Sequence, residues 1–471
     1  FTTEEGRIPP SDMKQLEAFR RKALGFPDEA PLAGQYDLVV VGAGIAGMSA
    51  AVSAARLGCK VALINDRSVI GGNNSSEIRV HLGGRIEEGV YKELGGLQKE
   101  FGPEKGGNAQ PAENYEDQKK LDWLANEKNV TLFLNYRAIG VTKDGNKITS
   151  VTARHIESGK EQKFEAPLFS DCTGDGTIGY LAGADFRMGR EAKSEFGESI
   201  APEKADKMTM GASVQWYSVD NGRSSSFPDF SYGVEFNDKN CEKVLMGEWT
   251  WETGMNLDQI KDFERIRDYG MLVVYSNWSY LKNQMKENTQ YRNRKLGWVA
   301  YVAGKRESRR LMGDYILKED DITKNVTHED ASFATTWSID LHWQDPANSA
   351  HFPGNEFKAV TKHILIHPYP VPYRCLYSRN IDNLFMAGRN ISVTHVALGT
   401  VRVMRTTGMM GEVVGMAASL CKKYGVEPRK VYQSYLEELK VLMKEGVNKK
   451  GLPNNLRYNE GGILKEKPVV K

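Results

Sequence analysis

The stretch "VVVGAGIAGMSAAVSAARLGCKVALIND", residues 39 to 66, constrains the fold more than any other. A continuous apolar run of strand formers breaks at glycine and passes into a small-residue segment of helical character that stops at Gly58. "KVALI" follows as a second strand. Runs of this kind are buried on both faces, as in a parallel sheet, and the whole reads as a βαβ unit. Gly42, Gly44 and Gly47 stand at G-x-G-x-x-G spacing across the first strand-to-helix turn. Gly42 permits the tight turn, Gly44 lets a pyrophosphate approach the backbone, and Gly47 lets helix and strand pack closely. The free N–H groups of the first turn, at Ile45 and Ala46, and the positive end of the helix dipole would then hold phosphates. "GDGTIG" at 174–179 has the same spacing and also follows a strand, but no long helix and second strand succeed it. Context separates the two.

In a dinucleotide-binding unit the second strand ends on an acid that grips a ribose. Here Asn65 stands in that place, and Asp66 comes one step later. An amide can both donate and accept, so Asn65 either takes the ribose with help from Asp66 or merely ends the strand.

The rest of the chain extends this unit. "SDMKQLEAFRRKAL" reads as a helix capped by Ser11 or Asp12, on an N-terminal arm of residues 1–35. "YEDQKKLDWLANEKN" is a helix and "VTLFLN" a strand, followed by a small meander and one more buried strand in "EAPLFSDCT". Residues 201–375 hold most of the tryptophans, including Trp249 and Trp251 on one strand face. The last third returns to the earlier style, with a strand "NLFMAG", a helix from about Val401 to Tyr424, and an amphipathic helix carrying Leu436, Leu439 and Met443. The expected architecture is α/β: a Rossmann-like cofactor domain with a parallel sheet, helices and a β-meander, built from 36–200 and 376–450. An α+β substrate domain, 201–375, is inserted between its halves, and 451–471 is a tail.

Several functions fall away on composition. Lys and Arg total 63 against 61 Asp and Glu, a net charge of +2 that gives no reason to invoke nucleic acid or an anionic membrane. The five cysteines contain no C-x-x-C pair, and no metal site is expected; "HILIH" reads as a strand with His363 and His367 rather than two ligands on a helix. No apolar run reaches the length of a membrane span. The chain opens on Phe1 rather than Met, so an upstream segment is expected to have been removed. Localisation stays open between cytoplasmic and exported.

The ordered set "VVVGAGIAGMSAAVSAARLGCKVALINDR", "GGNNSSEIRVHLGG", the meander, "DCTGDGTIGYLAGADFRMGRE" and "NLFMAGRNISVTHVALGTVRVMRTTGMMGEVVG" resembles the FAD-dependent oxidoreductases of the glutathione-reductase-like class. The bacterial group called "FAD dependent oxidoreductase" is the nearest branch, and "GKRESRRLMGDYIL" and "WSIDLH" resemble it too. The resemblance spans residue 36 to about 450. It implies bound FAD, with its pyrophosphate on Gly42, Gly44 and Gly47 and its adenosine ribose on Asn65 with Asp66 or Arg67. It also implies that Gly71, Gly72 and Asn73 line the middle of the cofactor, that Ala138 meets the adenine, and that Thr173 and Gly174 sit nearby. Gly388 and Arg389 would close over the ribityl–phosphate end, and Thr400 and Val401, at the start of the late helix, would face the flavin. A helix N-terminus there would favour the negative charge of a reduced flavin. Asn65 departs from the family's acid, and Gly388-Arg389 stands where many relatives carry Gly-Asp. No second βαβ fingerprint for NAD(P)H is present, which suggests electrons from the substrate itself or from another, unknown carrier.

A flavin performs the hydride chemistry, and the protein supplies acid, base and orientation. Arg79 and His81, with Glu77, alternate along "SSEIRVHL" and would share one face of an extended segment; buried salt bridges are the competing reading. His395 and Arg402 lie beside the late helix; His395 is the preferred acid–base, unless it is a structural histidine. Arg306, Arg309 and Arg310 with Glu307 would bind a substrate anion or form a solvated helix face or interdomain ion pairs. The expected activity is hydride transfer between FAD and a small molecule, a carbohydrate or polyol if the tryptophans decide, a carboxylate if the arginines do. An NAD(P)-dependent dehydrogenase is one alternative. An inactive flavin fold that binds a carbohydrate or protein partner is another.

Overall fold

The structure, a computed structural model, describes residues 12–454. Its first element is the helix Met13–Leu24, capped by Asp12, whose side chain accepts from the Gln15 N–H at 3.0 Å. The central sheet has five parallel strands. In chain order its members are β1 (Leu38–Val41), β2 (Val61–Ile64), β3 (Val130–Phe133), β4 (Leu168–Asp171) and a fifth, late strand. Helix α1 (Ile45–Arg56) links β1 to β2. Beside the sheet lies the meander of strands 136–144, 147–155 and 161–165.

After the meander come α2 (Phe263–Asn283), β5 (Ile339–Gln344) and β6 (Ala359–Ile364); the late sheet strand is β7 (Leu384–Met386). The sheet order is β7-β4-β1-β2-β3. Strands β1 and β2 are buried along their whole length, which is why their sequences are uniformly apolar. The late helix is in fact two: α3 (His395–Val401) and α4 (Met404–Tyr424), parted where Val403 turns to extended backbone (ψ 145). The tail helix is also two, Pro428–Ser434 and Leu436–Glu445, and it buries Leu439 and Met443.

Small residues let α4 lie almost in contact with α1. A Cβ on Gly411 would fall 2.1 Å from the Ala46 carbonyl oxygen, and one on Gly415 would fall 2.6 Å from that of Ala50. Glycine at those two positions therefore sets the helix separation.

The core divides in two. The larger cluster surrounds the central sheet, while a second runs from Ala212 to Ala303 with Phe357, centred on Trp216, Trp251 and Trp278. The segment 201–375 does not pack as one body, because Leu311, Leu317, Phe333, Ile339 and Leu341 join the larger cluster. Trp249 and Trp251 also part company: Trp251 enters the second core and Trp249 faces a cavity. "KRESRR" is neither helical nor solvated. Arg306, Glu307, Arg309 and Arg310 are all buried, and Arg310 pairs with Glu191 at 2.9 Å. All five cysteines are free. Among the described residues no helix is long and apolar enough to cross a membrane, and no group of three His, Cys, Asp or Glu residues is placed to hold a metal.

Candidate active site

A cavity of about 740 Å3 runs from the first βαβ unit to the Trp249 region, within the range that holds small-molecule ligands. At one end β1 delivers the chain to Gly42, whose φ of +101 a side chain would strain. A Cβ on Gly47 would collide with the Gly42 carbonyl oxygen at 1.8 Å. Gly47 is thus a packing glycine and does not line the cavity, whereas Gly42, Gly44, Ile45 and Ala46 do. Gly44 caps α1 without any side-chain partner, leaving the first N–H groups of the helix for a ligand.

Asn65 is braced from within. Its Oδ1 accepts from the Ala43 N–H at 3.1 Å, and its Nδ2 donates to the Arg67 and Val69 carbonyls at 3.0 and 2.9 Å. Both N–H donors are spent on the loop, leaving nothing to donate to a ribose. Asp66 and Arg67 line the same wall, and Arg67 is held by Glu77 through two bonds of 2.9 and 2.8 Å. Gly71, Gly72, Asn73, Ala138, Thr173, Gly174, Gly388 and Arg389 complete this end. Arg389 and Lys305 both donate to Asp175, the former at 2.9 Å. Burial pushes the Asp175 carboxyl up, but the two cations outweigh it and hold it well below the usual carboxylate range.

At the far end β5 and β6 pair antiparallel, with Asp340 opposite His363. His342 Nδ1 bonds Glu252, and its Nε2 lies 3.1 Å from Arg402 Nη2 and 3.2 Å from Asp340 Oδ1. Arg402 also donates to Asp340 Oδ2 at 3.0 Å, as does Trp337 Nε1 at 3.3 Å. Burial raises the Asp340 carboxyl, yet Arg402, His342 and His363 together keep it well below its ordinary value. Glu252 is lowered in the same way: Arg306 and His342 override its burial.

A family model described as FAD dependent oxidoreductase matches residues 37–442. The chain belongs to that family. No curated protein matches the sequence. Among solved structures, the Mycobacterium smegmatis Sdh1 complex is 12% identical, covering 89% of this chain and 77% of that one at a TM-score of 0.36. The myxobacterial halogenase CndH, an FAD-dependent enzyme, is 13% identical over 86% and 79%, TM-score 0.35. The glycerol-3-phosphate dehydrogenase from Bacillus halodurans, complexed with FAD, is 15% identical over 43% of each chain, TM-score 0.27.

The FAD-dependent oxidoreductase has a cavity that suits its cofactor: an uncapped helix start and a glycine turn for a pyrophosphate, continued by a lined channel. Besides Gly47, the predicted site residues Thr400, Val401, His395 and Arg79 lie outside the cavity wall. Thr400 is fully buried, bonded to the Thr335 hydroxyl and the Trp337 carbonyl, and Val401 is equally buried. The helix that starts at the cavity is α4, so Val403, Met404 and Thr407 occupy the expected position instead. His395 is buried with its Nδ1 on Glu307 at 2.9 Å. Arg79 has φ +67 and turns its guanidinium onto the Trp298 ring, 3.8 Å from the centroid. "SSEIRVHL" is therefore a turn followed by irregular backbone, and Arg79 leaves the face of its neighbours, while Glu77, His81 and Arg402 line the cavity. Glu252, Asp340 and His342 escaped the sequence reading. Ser338, Asp340 and His342 alternate in "WSIDLH", and that strand pattern was the available signal.

Proposed function

We propose that this FAD-dependent oxidoreductase exchanges a hydride between FAD and a small organic substrate, with His342 as the acid–base. One observation carries the reading: a histidine set between two carboxylates and a guanidinium lies in the wall of the cavity whose other end is the nucleotide cradle. When bound, FAD supplies the site that takes or returns the hydride. Glu252 accepts at Nδ1 and fixes the ring. At Nε2 a neutral imidazole accepts from Arg402, and an imidazolium donates to Asp340. Either protonation state finds a partner without the ring turning, as proton transfer to and from a substrate oxygen requires. Asp66 meets the ribose, the α1 N-terminus the pyrophosphate, and Arg389 a phosphate oxygen.

Anaerobic flavin reduction in His342→Gln tests this. The variant is expected to keep its FAD content and lose about 10²–10⁴ in reduction rate, the share general acid–base groups supply. An undiminished rate removes His342 from the chemistry.

A further inference from the structure

We infer that the substrate is neutral and polyhydroxylated, a sugar or polyol, and not a carboxylate. The inference rests on assigning the Asp340–His342 end of the cavity to the substrate. Charge decides it first. Arg306 is consumed by Glu252 at 3.2 Å, by the Gly211 and Trp249 carbonyls and by the Ser213 hydroxyl. Arg402 is matched by Asp340. His363 donates to, or accepts from, the Ser338 hydroxyl at 2.9 Å and has its Nε2 3.6 Å from Asp340. Both arginines of this end thus already face a buried anion. A carboxylate would have to displace one, leaving a carboxyl group buried without its partner.

Hydrogen-bonding capacity points the same way. Gln215 spends its Oε1 on the Ala109 N–H at 2.9 Å, and its Nε2 has no partner. His81 spends Nδ1 on Asn108 at 3.0 Å, and its Nε2 has none. Arg402 Nε also lacks a hydrogen-bond partner. All three side chains line the cavity. Buried polar atoms are rarely left unpaired in a finished site. A hydroxyl both donates and accepts, so a ring of hydroxyls satisfies this mixed set where a single anion cannot. Trp249 and Trp337, half-buried in the same wall, offer aromatic surface to the C–H faces of such a ring. Trp249 is itself held edge-on against His342, with centroids 5.4 Å apart.

The test is binding to the FAD-loaded enzyme, by calorimetry and saturation-transfer NMR. The probes are methyl glucoside, methyl galactoside, methyl mannoside and sorbitol, set against lactate, malate and glucuronate. At least one neutral probe is expected to bind and the three anions are not. Trp249→Ala and Trp337→Ala are each expected to weaken that binding about tenfold, within what one lost aromatic contact accounts for. Trp249→Phe should restore most of it, and flavin content should stay constant throughout. Binding by anions alone, by none of the neutral probes, or by a neutral probe indifferent to both tryptophans overturns the inference. The two proposals fail separately: hydroxy acids that reduce the flavin in a His342-dependent way sink the substrate class alone. A neutral probe that binds and reduces the flavin equally well in His342→Gln sinks the acid–base alone.

Discussion

Asn65 shows how one side chain changes a familiar motif. Where an acid would present two acceptors to a ribose, this amide turns inward and ties Ala43, Arg67 and Val69 together. Restoring the acid should therefore harm the protein. Asn65→Asp removes two donors and sets a carboxylate against two carbonyl oxygens. The expected cost is about 1–3 kcal/mol, the range for buried groups left unsatisfied, measured by urea unfolding of the apo-protein, with no gain in FAD affinity. A more stable or tighter-binding variant would show that the amide is a mere replacement. The glycine spacing was readable because it answers to local backbone geometry. The internal use of Asn65 was not, since its partners are carbonyls whose directions only the folded loop defines.

At the scale of elements, helix α4 hides a carboxyl. Glu412 accepts from the Gly95 and Leu97 N–H groups at 3.1 and 3.2 Å, and burial pushes it up to about 8. A raised value means that the folded protein holds the proton more tightly than the unfolded chain. The stabilisation is complete below the ordinary value of 4.5 and is lost as pH rises through about 8. Urea unfolding across that window should show stability falling with pH, and Glu412→Leu should flatten the slope whatever its own cost. An equal slope in the variant assigns it elsewhere. Lys120 is the companion case near the cavity. Burial lowers it to about 8, and its ammonium donates to the carbonyls of Asn74, at 2.6 Å, and Tyr115. It pins the Gly71–Asn74 turn from behind, so Lys120→Met should weaken FAD binding about tenfold in a fluorescence titration, the equivalent of one hydrogen bond to a charged group. Strands and helices of this scale were legible wherever an apolar period persisted. The break at Val403 was not, because "VALGTVRVMRTTG" carries no proline and its turn is imposed by tertiary contacts: Thr400 is held by Thr335 and Trp337.

Across the whole molecule, the second core reaches back over the nucleotide end. Phe263, Glu264 and Arg267 from the start of α2, with Tyr301 and Val302, line the same cavity as Asp66 and Arg67. Arg267 lies over the Tyr301 ring at 4.6 Å, and Tyr301 is 63% exposed. If this pair covers the adenosine, Tyr301→Ala raises the dissociation constant for FAD and leaves that for FMN, which has no adenosine, unchanged. Equal losses for both cofactors would place Tyr301 elsewhere on the ligand. The βαβ unit and the order of the larger motifs could be read from the chain because each is local. The proposed catalytic cluster could not: Glu252 stands 90 residues before His342, and Arg402 60 after it. Arg402 meets His342 where β5 crosses the helix break, and Glu252 arrives on a separate segment, its N–H on the Phe357 carbonyl at 2.9 Å.

That break has a consequence for how such an enzyme changes over time. Arg402 clasps Asp340, and the next residue, Val403, caps the helix that opens onto the cavity. A single peptide bond therefore separates the proposed substrate grip from the start of α4 at the cavity. A lineage that traded this guanidinium for a new specificity would release β5 from the helix break in the same step. Drift in substrate range is accordingly expected to run through Trp249 and His81, whose side chains meet His342 and Asn108 rather than the helix break.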